Sequence, residues 1–142
     1  MVHIHKEDEF FQLIEGLMFK DLDQAEARQF GFDNVLDCFV KGNLEFSRYY
    51  TVQVGDTILV AIMLERCGNL TYFVTKDFDK KYTRQVIKEV RSLADYTVYG
   101  AGAIFVRTAK FYDQAIRFVR LTGFVIRELR YDDILWVHHG RG

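Results

Sequence analysis

Residues 110–137 read KFYDQAIRFVRLTGFVIRELRYDDILWV, and the succession of elements in this stretch decides the fold. Phe111, Ala115, Ile116, Val119 and Thr122 recur at helical spacing, while Asp113, Gln114, Arg117 and Arg120 fall on other faces. Gly123 stands where a helix C-cap is expected. Beyond it, two apolar runs, 124–127 and 134–137, flank Tyr131-Asp132-Asp133, which predicts a hairpin with a short loop. The stretch is a helix over 110–122 followed by strands over 124–129 and 134–137.

Upstream, the hydrophobic period changes twice. Strict alternation over 48–54, a Gly55-Asp56 turn and the continuously apolar return over 57–64 predict a central hairpin. A strand over 70–74 follows, then a helix over 80–94 with Tyr82, Val86, Val90 and Leu93 as its stripe. Gly100 and Gly102 break the chain before a buried strand over 103–106. At the start, a short strand (2–5) leads into a helix capped by Asp8, a second over about 23–30 ending at Gly31, and a third capped by Asp33. The expected fold class is α+β, a mixed and mostly antiparallel central sheet with helices on both faces. The 142 residues form a single domain, 1–142.

Composition narrows the class. Hydrophobic residues at 49% against 27% charged exclude a disordered chain. Neither an apolar run of about 18 residues nor a signal-peptide core is present, so no membrane partner is expected. Cys38 and Cys67 are too isolated for a disulfide framework or a zinc site and read as buried thiols. His3, His5, His138 and His139 read as exposed terminal histidines without a third ligand, so no metal is expected. The arginines between 107 and 130 lack the aromatic companions of a nucleic-acid reader. Charge is unevenly spread: residues 1–45 carry −6 of a net −1. Asp21, Asp23 and Glu26 within that acidic part are expected on an exposed helix face.

The segment AIRFVRLTGF (115–124) resembles the closing helix and strand of the GNAT acyltransferase superfamily, where the usual pattern is Asn-x-x-Ala, a hydrophobic pair with Tyr, then Gly-Phe. The order of elements is similar over nearly the whole chain. The resemblance implies that acetyl-CoA would lie where strands 70–74 and 103–106 splay apart. Its pyrophosphate would meet backbone amides at the start of the next helix, through a glycine-bearing loop. Here the corresponding stretch is TKDFDKKYTRQ, with no glycine between Gly68 and Gly100. Phe78 and Tyr82 stand where small residues are needed, and Asp77 and Asp79 add negative charge. Val74, Lys80, Lys81 and Arg84 are the residues left to hold a cofactor. The acid that reprotonates the thiolate falls on Val119, and the familiar Asn falls on Tyr112. Tyr112, displaced, and Glu65, near the end of the third strand, are the candidates for catalysis.

A narrower resemblance joins DLDQAEARQFGFDNVLDCF (21–39), SRYYTVQVGDTILVAIML (47–64), LTYFVTKD (70–77) and AIRFVRLTGF to GNAT-like internal virion proteins of short-tailed, podovirus-type phages. It implies a protein with a degenerate acetyl-CoA site and no cofactor, working in virion assembly or DNA ejection beside other virion proteins. It would be found in the host cytoplasm and then the virion. The alternative is an active N-acetyltransferase that moves an acetyl group from acetyl-CoA to an amine.

Overall fold

The structure, a computed structural model, describes residues 1–139, leaving out the side chains of residues 99–101. Four strands, β1 (Val2–His5), β2 (Arg48–Val54), β3 (Thr57–Leu64) and β4 (Leu70–Val74), form an antiparallel sheet in sequence order. Three more, β5 (Ile104–Ala109), β6 (Val125–Leu129) and β7 (Asp133–His138), form a second antiparallel sheet in the order β5-β7-β6. A parallel bridge between Asn69 and Phe105 joins the two, and Phe105 N–H donates to Gly68 O at 2.8 Å. The expected mixed sheet is therefore two antiparallel halves, parallel only where β4 meets β5.

Helices cover both faces. On one side α1 (Glu7–Glu15), α2 (Asp21–Gln29) and α3 (Val35–Gly42) bring Phe10, Ala27, Val35 and Phe39 onto Tyr49, Ala61, Met63 and Phe73. On the other, α4 (Thr83–Ala101) and α5 (Asp113–Leu121) set Val86, Val90, Ala94 and Val119 against Tyr50, Val52, Ile62 and Trp136. The central strand β3 is buried along almost its whole length, as its unbroken apolar run requires.

Local chemistry explains the boundaries. Gly123 takes φ +100° beyond α5, a conformation that favours glycine, and Phe124 N–H reaches back to Val119 O. α4 runs past Gly100 to Gly102, whose φ is +83° and whose N–H donates to Val98 O. One glycine within a well-packed helix is tolerated; the positive φ is what ends it. The expected helix start at residue 80 is a 3-10 turn, Lys80–Tyr82, capped by Asp79 through Lys81 N–H at 3.1 Å. Tyr112 precedes α5 as its N-cap residue, with non-helical backbone. Asn34, not Asp33, caps α3, accepting from Asp37 N–H at 2.7 Å. Lys6, not Asp8, holds the N-cap position of α1.

Candidate functional site

From the Asn69–Phe105 bridge, β4 and β5 diverge. At the far end of β4, Val74 has lost its neighbour on the β5 side, and two groups from the first helical layer fill the place. Asp23 Oδ1 accepts Val74 N–H at 3.0 Å, and Lys20 N–H donates to Val74 O at 3.0 Å. An antiparallel bridge between Phe19 and Thr75 extends this contact. On β5, Ala109 N–H donates to Glu26 Oε2 at 2.9 Å. Helix α2 thus clasps both sides of the splay through two carboxylates one turn apart.

This placement corrects the expectation that Asp23 and Glu26 lie on an exposed face. Asp23 is 2% exposed and Glu26 5%, whereas Leu22 beside them is 47% exposed. Asp21 alone of the three is exposed, pairing with Lys76 at 3.5 Å. The inversion follows from hydrogen bonding: two orphan strand N–H groups cost more unsatisfied than one leucine costs in water. Burial raises the Asp23 carboxyl to about 6, partly offset by hydrogen bonds from Tyr112 and Val74 and by the charge of Lys20. Burial raises Glu26 to about 8, offset by the Ala109 N–H, raised further by Asp23 and lowered by Arg107.

Next to the clasp, between β4, α4 and α5, lies a cleft of about 400 Å³. Its walls are largely apolar, including Val60, Tyr72, Val74, Phe78, Ile87, Ala115 and Phe118. The exposed Lys80 and Arg117 stand at its mouth, and Lys20 lines it with its ammonium 5.4 Å from the centre of the Phe78 ring. Asp23 and Tyr112 lie at the inner end, where the Tyr112 hydroxyl donates to Asp23 Oδ2 at 2.7 Å. Burial, and then the charge and hydrogen bond of Asp23, hold the Tyr112 proton far more firmly than in a free phenol.

Of the sequence candidates, the fold brings Val74, Lys80 and Tyr112 together on this cleft. Lys81 is exposed and sets its ammonium over the Tyr82 ring, and Arg84 is exposed; neither lines the cleft. Glu65 sits in the β3–β4 turn, at the closed end of the splay, accepting from Asn69 Nδ2 at 3.2 Å and Cys67 Sγ at 3.3 Å. Four residues of strand, roughly 13 Å, separate that end of β4 from Val74. Phe78 occupies the cleft wall, as its bulk implied. The group that sequence reasoning missed is the Asp23–Glu26 pair. Its signal was present: residues 23, 26 and 27 share one helix face, and Ala27 is apolar.

The histidines expected at the exposed surface include a buried one, and the cysteines expected to be buried include an exposed one. His138 is buried against Phe124, its Nε2 3.5 Å from Asp95, and burial lowers its proton affinity. His5 is held between Glu9 and Thr51. No cluster of three metal-ligating side chains occurs among the described residues. Cys38 is buried, its thiol pushed up to about 12 by desolvation, but Cys67 is exposed. No helix among the described residues is long and apolar enough to cross a membrane.

Solved structures share this fold over nearly the whole chain. The GNAT domain of PAT from S. lividans superposes with a TM-score of 0.69 at 9% identity, over 96% of this chain and 88% of that one. The fold is that of the GNAT acetyltransferases. A GNAT-family acetyltransferase from Streptococcus pneumoniae gives 0.62 at 11% identity, over 99% of both chains. Spermidine N-acetyltransferase from Vibrio cholerae, in complex with CoA and spermine, gives 0.63 at 12% identity, over 96% and 93%. At these identities the likeness to GNAT proteins concerns the fold alone. No protein-family model and no curated protein sequence matches the chain.

Proposed function

We propose that the cleft receives an acyl-CoA-type thioester and that the chain transfers its acyl group to an amine. The observation that carries this reading is the cleft itself: about 400 Å³ of largely apolar space, cationic at the mouth and acid–phenol at the inner end. Its volume suits a pantetheine-sized arm. Lys20, Lys80 and Arg117 would hold the anionic end by side-chain charge, in place of the glycine loop that the sequence lacks. The bound group would supply an activated acyl carbon. Asp23, with its carboxyl near 6, is partly poised to take a proton from the attacking amine at neutral pH. Tyr112 positions that carboxylate through the 2.7 Å hydrogen bond. The structural neighbours include an enzyme that acts on spermidine, which makes polyamines the first acceptors to try.

Calorimetric titration with acetyl-CoA is the test. Micromolar affinity is expected, with Asp23→Asn keeping that affinity while losing acetyl transfer to a panel of amines. A flat titration at millimolar ligand sinks the reading.

A second reading is favoured by the clasp. Both backbone groups of Val74, and the N–H of Ala109, are already satisfied within the chain, so a ligand finds no strand edge to pair with there. A GNAT-fold protein without turnover, serving as a virion component among other virion proteins, fits that observation; the virion itself rests on the resemblance of residues 21–137. Under this reading the titration is flat and the protein copurifies with phage particles.

A further inference from the structure

One residue that lines the cleft carries an enclosed polar atom whose partner is missing. The hydroxyl of Tyr72 is buried and, among the described residues, has no hydrogen-bond partner. Tyr72 stands on β4 opposite Ile62, lines the cleft, and lays its ring against Phe118 with centroids 5.5 Å apart. Three of the nearby carboxylate oxygens are engaged elsewhere. Asp23 receives Val74 N–H and the Tyr112 hydroxyl, and Glu26 receives Ala109 N–H. Burial, and then the neighbouring Glu26, Asp23 and Tyr112, hold the Tyr72 proton well above the ordinary range for a phenol. The group is thus a donor at every working pH. A buried donor without an acceptor is destabilising, and native proteins keep few of them.

We propose that the Tyr72 hydroxyl is the hydrogen-bond donor for the acyl carbonyl oxygen of the thioester, a role that rests on the acyl-CoA reading above. Three observations select that group. The missing partner is an acceptor, because the phenol already holds its own proton. It is a neutral acceptor, because Asp23 at the inner end, with its carboxyl near 6, is mostly ionised at neutral pH and would repel a phosphate or a carboxylate. The cationic side chains Lys80 and Arg117 are at the exposed mouth, so the anionic end of a ligand lies outward and its uncharged end lies inward. The strand amide next along, Val74 N–H, is held by Asp23, which leaves a side chain to do what a free backbone donor would do. A fixed donor in a dry site favours the negative charge that develops on a carbonyl oxygen under attack.

The experiment compares wild type and Tyr72→Phe by calorimetry with two probes, acetyl-CoA and CoA, which differ by the acyl carbonyl. Loss of the hydroxyl should weaken acetyl-CoA roughly tenfold, the order of one hydrogen bond, and leave CoA within about twofold. The melting temperature of the ligand-free variant should equal or exceed that of wild type, since the substitution removes an unpaired donor. Equal weakening of both probes would place the hydroxyl on another part of the ligand and overturn the assignment. So would unchanged affinity for both, or a ligand-free melt lowered by more than about 4 °C, which would reveal an internal partner. Wild type that binds neither probe removes the acyl-CoA reading, and this role goes with it.

Discussion

The two ends of the β4–β5 junction solve one problem in different ways. At the closed end, strand meets strand: Phe105 N–H donates to Gly68 O, and the neutral amides need nothing else. At the open end, the same kind of donor, on Val74 and Ala109, is met by a carboxylate from α2. Peptide pairing is indifferent to pH and demands close approach. Carboxylate pairing tolerates distance between the strands but carries charge into a buried place. The closed end is therefore controlled by shape and the open end by protonation.

The largest effect should come from breaking the closed end. Gly68 has φ +99°, and a Cβ there would lie 2.4 Å from Ala103 O. Gly68→Val should cost on the order of 4 kcal/mol or more, read as loss of the cooperative melt, because both backbone strain and a backbone clash oppose it.

The open end should respond to pH instead. Glu26 is held near 8 in the native state against an ordinary 4.5, and Asp23 near 6 against 3.8. Between about 4.5 and about 8 the native chain keeps a proton on Glu26 that the unfolded chain has released. Stability therefore falls as pH rises through that window, at up to roughly 1.4 kcal/mol per unit. Glu26→Gln keeps an oxygen for the Ala109 N–H and cannot ionise. Chemical denaturation should show the variant more stable than wild type at pH 8 and nearly equal at pH 5. An unchanged pH slope would mean that Glu26 is ionised in place.

Smaller still is Tyr112→Phe, which removes one donor from Asp23 and should cost about 1–2 kcal/mol in a denaturant titration. It should also raise the Asp23 carboxyl further, visible as a shifted carboxyl titration by NMR. Glu65→Ala sharpens the comparison from the other side. Removing a half-exposed turn carboxylate should change stability by less than about 1 kcal/mol and leave acetyl-CoA affinity untouched.

The sequence made the elements legible because each carried its own period. Tyr50 and Val52 alternate with Tyr49 and Thr51, and Val86, Val90 and Ala94 repeat at helical spacing, so strand and helix could be told apart locally. Gly55 and Gly123 marked turns that the structure confirms with positive φ. What local pattern does not hold is pairing between distant residues. Asp23 lies 51 positions from Val74, and Glu26 lies 83 from Ala109. Composition alone sends an acidic helix to solvent, and only the gap between two strands overrules it. Tyr112 was singled out by its alignment with a family motif, yet its partner across 89 positions was invisible. Tyr72 gave no signal, since a tyrosine in a strand reads as packing.

The clasp also bears on the order in which the molecule assembles. Its two bonds close chain loops of 51 and 83 residues, whereas the β2–β3 hairpin closes around Gly55. Ordering so long a loop costs entropy that short hairpins avoid, so the β2–β3–β4 meander and the β6–β7 hairpin should form before α2 bridges the splay. Substitutions in the clasp would then leave the refolding rate nearly constant and appear as faster unfolding. Helix α2 acts as the bolt drawn after the door has closed, setting how long the native state lasts and not how quickly it is reached.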